Sequence, residues 1–517
     1  MGYLYRFEIK GIQNFIFSTN KMREIAGGSA IIDTMFTPKD WGLKEIEQSA
    51  AGSATIYFED KQFLEKFASE FPRYAQYCAP TVELVQAWVP FDKNSPKEQT
   101  VIEDLLDKLT YARNQKTVSL PEMGPLLLRD RRTGQGVIDP KTKKYGARSF
   151  DAISLAKERP NLEQRQRLEQ ELLNDDSLRF TKGDIFEKDL GMVAVIHIDG
   201  NDIGTRVRDC TTLKAYQEFS TCLTRATKDA AAYAVKNAVE KIEDRGDFNF
   251  SGSRKELPIR PIILGGDDFT VIIKAQYALE FTEDYIRKFE EITAKSENAE
   301  KLGGAMHASA GIAFVKAKSP FAANYSLCEE LCSHAKNVLR ERGKNNNGAF
   351  TPSAIAFHRV TTTAIPKWSQ IRTQELESAY PNEKQKNKLS ALYASPYLVN
   401  ADDAPEGFFT MEDLKTLVEQ MKNLPRGPLR QWVQQAQSDH VRAKQRWERF
   451  EKICFDNANK KSKKALQICK DIWGKNTFRI REEGTQQQLD GQGSWNQVTP
   501  ILDCLHLRSL EGKEKTR

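Results

Sequence analysis

Apolar and polar positions change period along this chain, and the changes mark out its elements. Tyr3 to Lys10 alternates and predicts a strand. Gly11 to Phe17 opens a helix expected to run on through Met22, Arg23 and Ile25. Ala54 to Phe58 and Thr81 to Val89 read as strands, and Gln62 to Tyr77 and Gln99 to Arg113 as amphipathic helices. Short strands and helices alternating in this way predict an α+β unit of ferredoxin-like type over residues 1–115. Residues 116–188 break the pattern. They are turn-rich and basic, with Arg129, Arg131, Arg132 and Lys141 to Lys144, and then a polar helix from Asn161 to Leu173. This stretch predicts an insertion packed over the first unit, its charges solvated.

A second α/β pattern occupies residues 189–360. Met192 to Asp199 is a continuous apolar strand ending in an acid, and a long helix from Leu213 to Lys241 follows. Pro261 to Leu264 and Phe269 to Lys274 flank Gly265, Gly266, Asp267 and Asp268, which predicts a hairpin with its turn at the glycines. Helices are expected at Ala278 to Thr293 and from Pro320 to Arg342, where Gly343 stops the second. His307 to Val315 is a strand, and Ala354 to Phe357 closes the sheet. Residues 361–517 show helical spacing at Glu412 to Asn423, Gly427 to Gln437 and Val441 to Lys470, with Trp432 and Trp447 as core residues of a bundle. Residues 475–517 are polar and Gln-rich and end in a Lys/Glu tail.

The hairpin carries the chemistry. Two adjacent carboxylates on a tight turn repel each other unless a cation sits there. Asp199 at the end of its strand completes a palm-type arrangement in which Asp199 and Asp267 or Asp268 hold two Mg²⁺ (or Mn²⁺) ions for nucleotidyl transfer. Three carboxylates suffice, because magnesium takes its remaining ligands from phosphates and water. Gly200 and Asn201 let phosphates approach the following helix N-terminus. Asp202 lies beyond the turn and reads as a solvated helix-turn residue. Lys336 either reaches a triphosphate or is a surface lysine. Ser309 faces a nucleotide or the sheet, and His307 reads as a satisfied sheet histidine.

Composition narrows the class. The chain has 517 residues and a net charge of +6, enough for several domains and a mild excess that permits nucleotide or RNA partners. No apolar run reaches membrane-spanning length and no signal peptide opens the chain, so a cytoplasmic protein is expected. The eight cysteines include no CxxC pair, and Cys328 and Cys332, one turn apart, read as buried packing. The six histidines form no HExxH. Hydrolytic chemistry on histidine-bound metal has no support.

Ile198 to Asn201, Leu264 to Phe269, Ser309 to Ile312 and Ala335–Lys336 resemble the second palm domain of the large polymerase/cyclase subunit of type III CRISPR effector complexes. Ile9 to Phe17 and Arg23 to Asp33 resemble the first palm domain of that family. The hairpin itself is GGDEF-like and shared with diguanylate cyclases; the N-terminal pair makes the match specific. The resemblance implies two ferredoxin-like palm domains followed by a C-terminal helical bundle, and a synthase of cyclic oligoadenylate messengers from ATP in antiviral defence. It implies Asp199, Asp267 and Asp268 as metal and catalytic acids. Gly265, Gly266 and Asn201 shape the nucleotide pocket, Lys336 contacts phosphate, and Ser29 contacts the second nucleotide or packs its helix. Partners would be RNA and other effector subunits, or a second copy of the chain. Against the family's pattern, no HD nuclease domain precedes the first palm, and Met123 to Tyr145 holds the place of a zinc site without thiols. Alternatives are a cyclic dinucleotide synthase of other base specificity and a non-catalytic RNA-binding scaffold. The intact acids argue against the scaffold.

Overall fold

A computed structural model describes residues 2–36, 41, 43, 46–50, 52–92, 98–115, 128–142, 148–160, 166–181, 191–343, 351–362, 364–382, 385–400, 402, 408–438, 440–456, 460–476 and 495–510. The first unit comprises β1 (Gly2–Lys10), α1 (Ile12–Phe17), α2 (Met22–Thr34), β2 (Ile46–Ala50), β3 (Ser53–Phe58), α3 (Lys61–Cys78), β4 (Glu83–Phe91) and α4 (Glu98–Asn114). Its antiparallel sheet has the order β2-β3-β1-β4, which is the ferredoxin-like arrangement. Tyr5, Phe7 and Phe58 meet Phe67 and Phe71 of α3 on one face. Leu4, Val85 and Val89 meet Leu105 and Leu109 of α4 on the other.

The single helix expected from Gly11 onward forms as two. Lys157 explains the break. Its Nζ is fully buried and donates to the carbonyl of Ile16 (3.0 Å) and to Ser18 Oγ (2.8 Å), where α1 ends. Burial pushes the pKa of this ammonium down to about 8, partly opposed by Glu24 and Asp151.

Lys157 belongs to a segment of β5 (Val137–Thr142), β6 (Arg148–Asp151), α5 (Ala152–Glu158), α6 (Arg167–Leu173) and β7 (Leu178–Phe180). Arg132 of this segment departs from the solvated face expected of it. It pairs at 2.6 Å with Glu24, which is fully buried in α2, and also binds Asp130. A buried carboxylate needs such a partner, so the segment anchors to the first unit through charge. Of Met123 to Tyr145, which the resemblance aligns with a zinc site, residues 128–142 are described and include the turn before β5 and β5 itself, while 123–127 and 143–145 lie outside the described residues.

The second unit comprises β8 (Met192–Gly200), α7 (Ile203–Arg208), α8 (Leu213–Asp244), β9 (Asn249–Ser251), β10 (Arg254–Leu257), β11 (Ile259–Gly265), β12 (Asp268–Lys274), α9 (Ala275–Ala294), α10 (Ser296–Leu302), β13 (Ala308–Lys316), α11 (Phe321–Gly343) and β14 (Ala354–Arg359). Its sheet runs β11-β12-β8-β13-β14-β17, with β17 at Tyr397–Leu398. The first four places repeat the connectivity of the first unit. Ala354 to Phe357 does not close the sheet, because the short β17 pairs outside it.

Strand alternation divides this sheet into two different faces. Ala194, Ile196, Ile198, Val271 and Ile312 pack against α8 and α9. Val193, Val195, Ile272, Ala313 and Val315 pack against α11 and the first unit. His197 and Asp199 share the parity of the second group and so lie on the face toward α11. Contacts from α1, β1 and α2 help to fix the two units together. Phe17 stacks 4.9 Å from Phe321 and 4.3 Å from Tyr325 of α11. Arg6 donates to Thr55 Oγ1 (3.1 Å) and to the Tyr216 hydroxyl of α8 (2.9 Å). The Ser29 hydroxyl donates to the Ile262 carbonyl of β11.

Helix α11 lies against β13 because Gly311 leaves room for it. A Cβ at this position would sit 1.9 Å from the Cys328 carbonyl and 2.7 Å from the Cys332 amide. Neither atom can move without the helix. Gly311→Ala is therefore expected to destabilise the protein by about 3 kcal/mol, read as a lower urea midpoint at unchanged slope. A midpoint equal to wild type would mean that α11 is free to shift.

The C-terminal region contains α12 (Trp368–Ile371), β15 (Glu377–Asn382), β16 (Gln385–Ala391), α13 (Met411–Met421), α14 (Arg426–Ser438), α15 (His440–Asp456), α16 (Lys460–Asn476), β18 (Trp495–Val498) and α17 (Ile501–Arg508). Trp447 lies 5.3 Å from Trp432 and 5.6 Å from Trp473, at the seam of the helices. The helix expected over Val441 to Lys470 forms as two. A three-stranded sheet, β15-β16-β18, was not expected from sequence. No helix among the described residues is long and apolar enough to cross a membrane.

Candidate active site

The acids meet because β8 and β12 are adjacent strands. Phe269 opposes Ile198, which brings the hairpin turn beside the end of β8 where Asp199 lies. Gly265 opposes Asp268, leaving Gly266 and Asp267 as the two turn residues. Gly266 has φ 62°, the left-handed conformation that a tight hairpin demands at its first central position. Thr227 of α8 donates to the Gly266 carbonyl at 2.8 Å and pins the turn from behind. A Cβ on Gly200 would come 3.0 Å from that of Asp267, so this glycine lets the turn close on the strand end.

Asp199, Asp267 and Asp268 each place a carboxylate oxygen so that all three lie within 4.8 Å of one another, half-buried. Their ionisation diverges accordingly. Burial pushes Asp267 up to about 7, helped by the neighbouring Asp199 charge. Burial, and then Asp199 and Asp267, hold Asp268 well above the usual carboxylate range. Burial also opposes ionisation of Asp199, but the Lys336 ammonium and its hydrogen bond outweigh it and keep this carboxyl low. The site thus holds one carboxylate paired with Lys336 and two whose ionisation is resisted by burial and by the neighbouring acids. A donor set of three convergent oxygens in this state fits a hard divalent cation.

Lys336 is buried rather than a surface lysine. Its Nζ pairs with Asp199 and donates to the Gly200 carbonyl at 2.8 Å. Ser309 lies directly opposite Asp199 on β13, fully buried, and its hydroxyl has no hydrogen-bond partner. Asn201 is buried. Its amide donates to the carbonyls of Thr351 and Pro352 at 3.1 Å each. Asn201 thereby ties the strand end to the following loop. Asp202 is likewise not merely solvated. It accepts from the Thr351 amide at 2.9 Å and pairs with Arg340 at 3.3 Å. The helix after Gly200 and Asn201 is the six-residue α7, not the long α8. The Ser29 hydroxyl is engaged by the Ile262 carbonyl, a contact that ties α2 to β11. Cys328 and Cys332 are buried, their thiols on the carbonyls of Val195 and Ser309. His307 is satisfied by Glu290 at 2.8 Å.

Sequence reasoning did not single out His197, Thr227 or Glu329. His197 stands two residues before Asp199 on the same face, held at 3.2 Å from Thr270 Oγ1, and burial pushes its pKa down to about 4. A neutral imidazole therefore borders the acids at neutral pH. Glu329 has its carboxyl raised by burial and then by Asp199. Its spacing of seven from Lys336 on α11 is the signal that places both on one helix face.

Behind the hairpin, a cleft of about 260 Å³ opens between the two units, lined by Asp33, Ser53, Arg167, Lys228 and the backbone of Gly265 and Gly266. Asp33 pairs with Arg167 at 3.0 Å. Burial nevertheless raises its carboxyl to about 6, against the pull of Arg167.

Comparison with known families matches residues 192–347 to the second palm domain of Cas10/Cmr2. No curated protein matches by sequence. Among solved structures, a Csm1-Csm4 cassette in complex with cA3 is similar at 12% identity and a TM-score of 0.49, covering 98% of this chain and 69% of that one. The Csm1-Csm4 subcomplex in the type III-A CRISPR-Csm interference complex matches at 13% identity and 0.47, with the same coverage. A Csm1-Csm4 cassette in complex with cA4 matches at 14% identity and 0.40, where this chain covers 68% of its own length and spans only 54% of the other's.

Proposed function

We propose that this chain, whose residues 192–347 form a second palm domain of the Cas10/Cmr2 type, is a nucleotidyl cyclase that joins ATP into cyclic oligoadenylates as part of a type III CRISPR effector complex. The observation that carries the reading is the convergence of Asp199, Asp267 and Asp268 at one strand end, opposite a second unit of the same connectivity. Asp199, Asp267 and Asp268 would hold Mg²⁺ or Mn²⁺, which when bound lowers the barrier to attack by a hydroxyl and stabilises departing pyrophosphate. Lys336, already paired with Asp199, is placed to meet a phosphate. The inter-unit cleft, with Arg167 and Lys228 on its wall, offers a second nucleotide a place facing the hairpin backbone. Csm4-like subunits and RNA are the partners this reading implies.

Incubation with each of the four NTPs and Mg²⁺, with and without RNA, followed by mass analysis of products, tests it. ATP is expected to give pyrophosphate and cyclic products, and chelation to stop both. The metal dependence has a pH signature. Asp267 is raised to about 7, and a metal needs it ionised. Asp268 is raised as well, so Mg²⁺ affinity is expected to fall at least about tenfold per pH unit below 7, measured by titration calorimetry. A pH-independent affinity between 6 and 8, or products unchanged by chelator, would count against the reading.

A further inference from the structure

At the end of the second sheet opposite the acids, like charges of the other sign converge. Arg359 ends β14. That strand begins beside the acids, since Ala354 pairs with Ser309, and Arg359 lies five residues on, about 16 Å along the strand. Two contacts bring the C-terminal region to this point. The rings of His358 and His506 lie 5.8 Å apart, setting α17 beside the strand end. Arg508, the last residue of α17, donates to the carbonyls of Met421 (2.6 Å) and Leu424 (3.3 Å). These carbonyls end α13 immediately before α14, whose first residue is Arg426. Arg430 follows one turn later on the same face of α14.

Arg359, Arg426, Arg430 and Arg508 thus gather around one junction of sheet and helices. Arg508 is used by the carbonyls. The other three have no acidic partner among the described residues, and the Nε atoms of Arg359 and Arg426 are buried with no hydrogen-bond partner. Glu375 lies 4.0 Å from the Nε2 of the neighbouring His358. The charges act on each other: after burial, Arg430 and Arg426 lower the pKa of Arg359, and Arg430 and Arg508 that of Arg426. Three guanidinium groups brought together without a counter-ion repel, as do the carboxylates of the hairpin. The N-terminus of α14, a 13-residue helix, adds the first-turn backbone N–H groups of Arg426, Gly427 and Leu429 to the same place, Pro428 having none.

We infer that Arg359, Arg426 and Arg430, with the first turn of α14, form a phosphate-binding site at the junction of the second palm and the C-terminal helices. Guanidinium forks match phosphate oxygens in pairs, and unpaired guanidinium N–H groups together with a helix N-terminus supply the remaining donors. The ligand is a phosphate group, either of a single-stranded nucleic acid or free. The site stands whether or not the acids are catalytic.

The test compares wild type with Arg359→Gln/Arg430→Gln in Mg²⁺-free buffer. Two probes are used: inorganic phosphate read by thermal unfolding, and a fluorescent 12-mer RNA read by anisotropy across a salt series. Phosphate is expected to raise the wild-type Tm, and the double variant to lose that increment while starting from an equal or higher Tm. If a strand is the ligand, the variant binds RNA about tenfold more weakly, with the log–log salt slope reduced by about 1.4 for two lost phosphate contacts. An unchanged RNA slope with the phosphate increment lost assigns the site to a free phosphate. Equal phosphate response and equal RNA binding in both proteins overturn the proposal. The single variant Arg430→Gln, at an exposed position, gives the same reading at smaller amplitude should the double variant fold poorly.

Discussion

Asp267→Asn/Asp268→Asn is expected to abolish product formation from ATP and, in chelator, to make the protein more stable than wild type. The first effect follows from ligand chemistry. Asparagine keeps the shape of the hairpin but removes two of the three anionic oxygens that meet within 4.8 Å. Losing several kcal/mol of charge stabilisation slows transfer by about 10³-fold or more. The second effect follows from the cost of crowding acids. Both hairpin carboxyls have folded pKa values raised above their ordinary ones, Asp267 to about 7. An acid with a raised folded pKa contributes stability below its unfolded pKa and loses it as pH rises through the folded value. Wild type in chelator therefore weakens from about pH 4 toward pH 8, whereas the amide variant does not. The Tm difference should be small at pH 5 and largest at pH 8, and Mg²⁺ should stabilise only wild type. Retained product formation would sink the catalytic assignment. A variant less stable than wild type at pH 8 would sink the electrostatic account of the hairpin.

The acids were legible because their geometry is local. A two-residue turn between β-branched runs fixes Asp267 and Asp268, and an apolar strand that stops at an acid fixes Asp199. Two-residue periodicity then assigns faces, which is why His197 could have been found with them. Residues whose setting depends on another element were not legible. Lys336 left two readings open in sequence, and only the packing of α11 on β13, through the space at Gly311, buries it against Asp199. Asn201 sits within the motif but is claimed by the Thr351 and Pro352 carbonyls, a partner 150 residues away. Arg132 looked like solvated charge because its partner Glu24 lies in another unit. The short strands β15, β16 and β18 escaped for a different reason: they are brief and largely polar and carry little apolar periodicity. The arginine junction is the extreme case. Its members come from a strand end and two helices, and no spacing in sequence relates them.

Lys336→Met is expected to destabilise the metal-free protein by about 2 kcal/mol at pH 8, to reduce product formation more than tenfold, and to make stability respond more strongly to Mg²⁺. In the metal-free state Lys336 is the cation of the acidic site, paired with Asp199 and held by the Gly200 carbonyl. It is what keeps Asp199 ionised although burial opposes that. An acid with a depressed folded pKa contributes stability above its unfolded pKa and loses it as pH falls through the folded value. In wild type Asp199 therefore adds stability at neutral pH. Without the ammonium its folded pKa rises, the sign reverses, and three carboxyls share the site with no cation. The gap in Tm between variant and wild type should open as pH rises from 4 to 8. Mg²⁺ replaces the missing charge and should close that gap, raising the variant's Tm more than the wild type's. Product formation stays low even with the metal supplied, because no ammonium remains to meet phosphate. A gap that does not change with pH would show that Lys336 stabilises the fold through its packed methylenes rather than its charge. Full activity in the variant would remove Lys336 from the site.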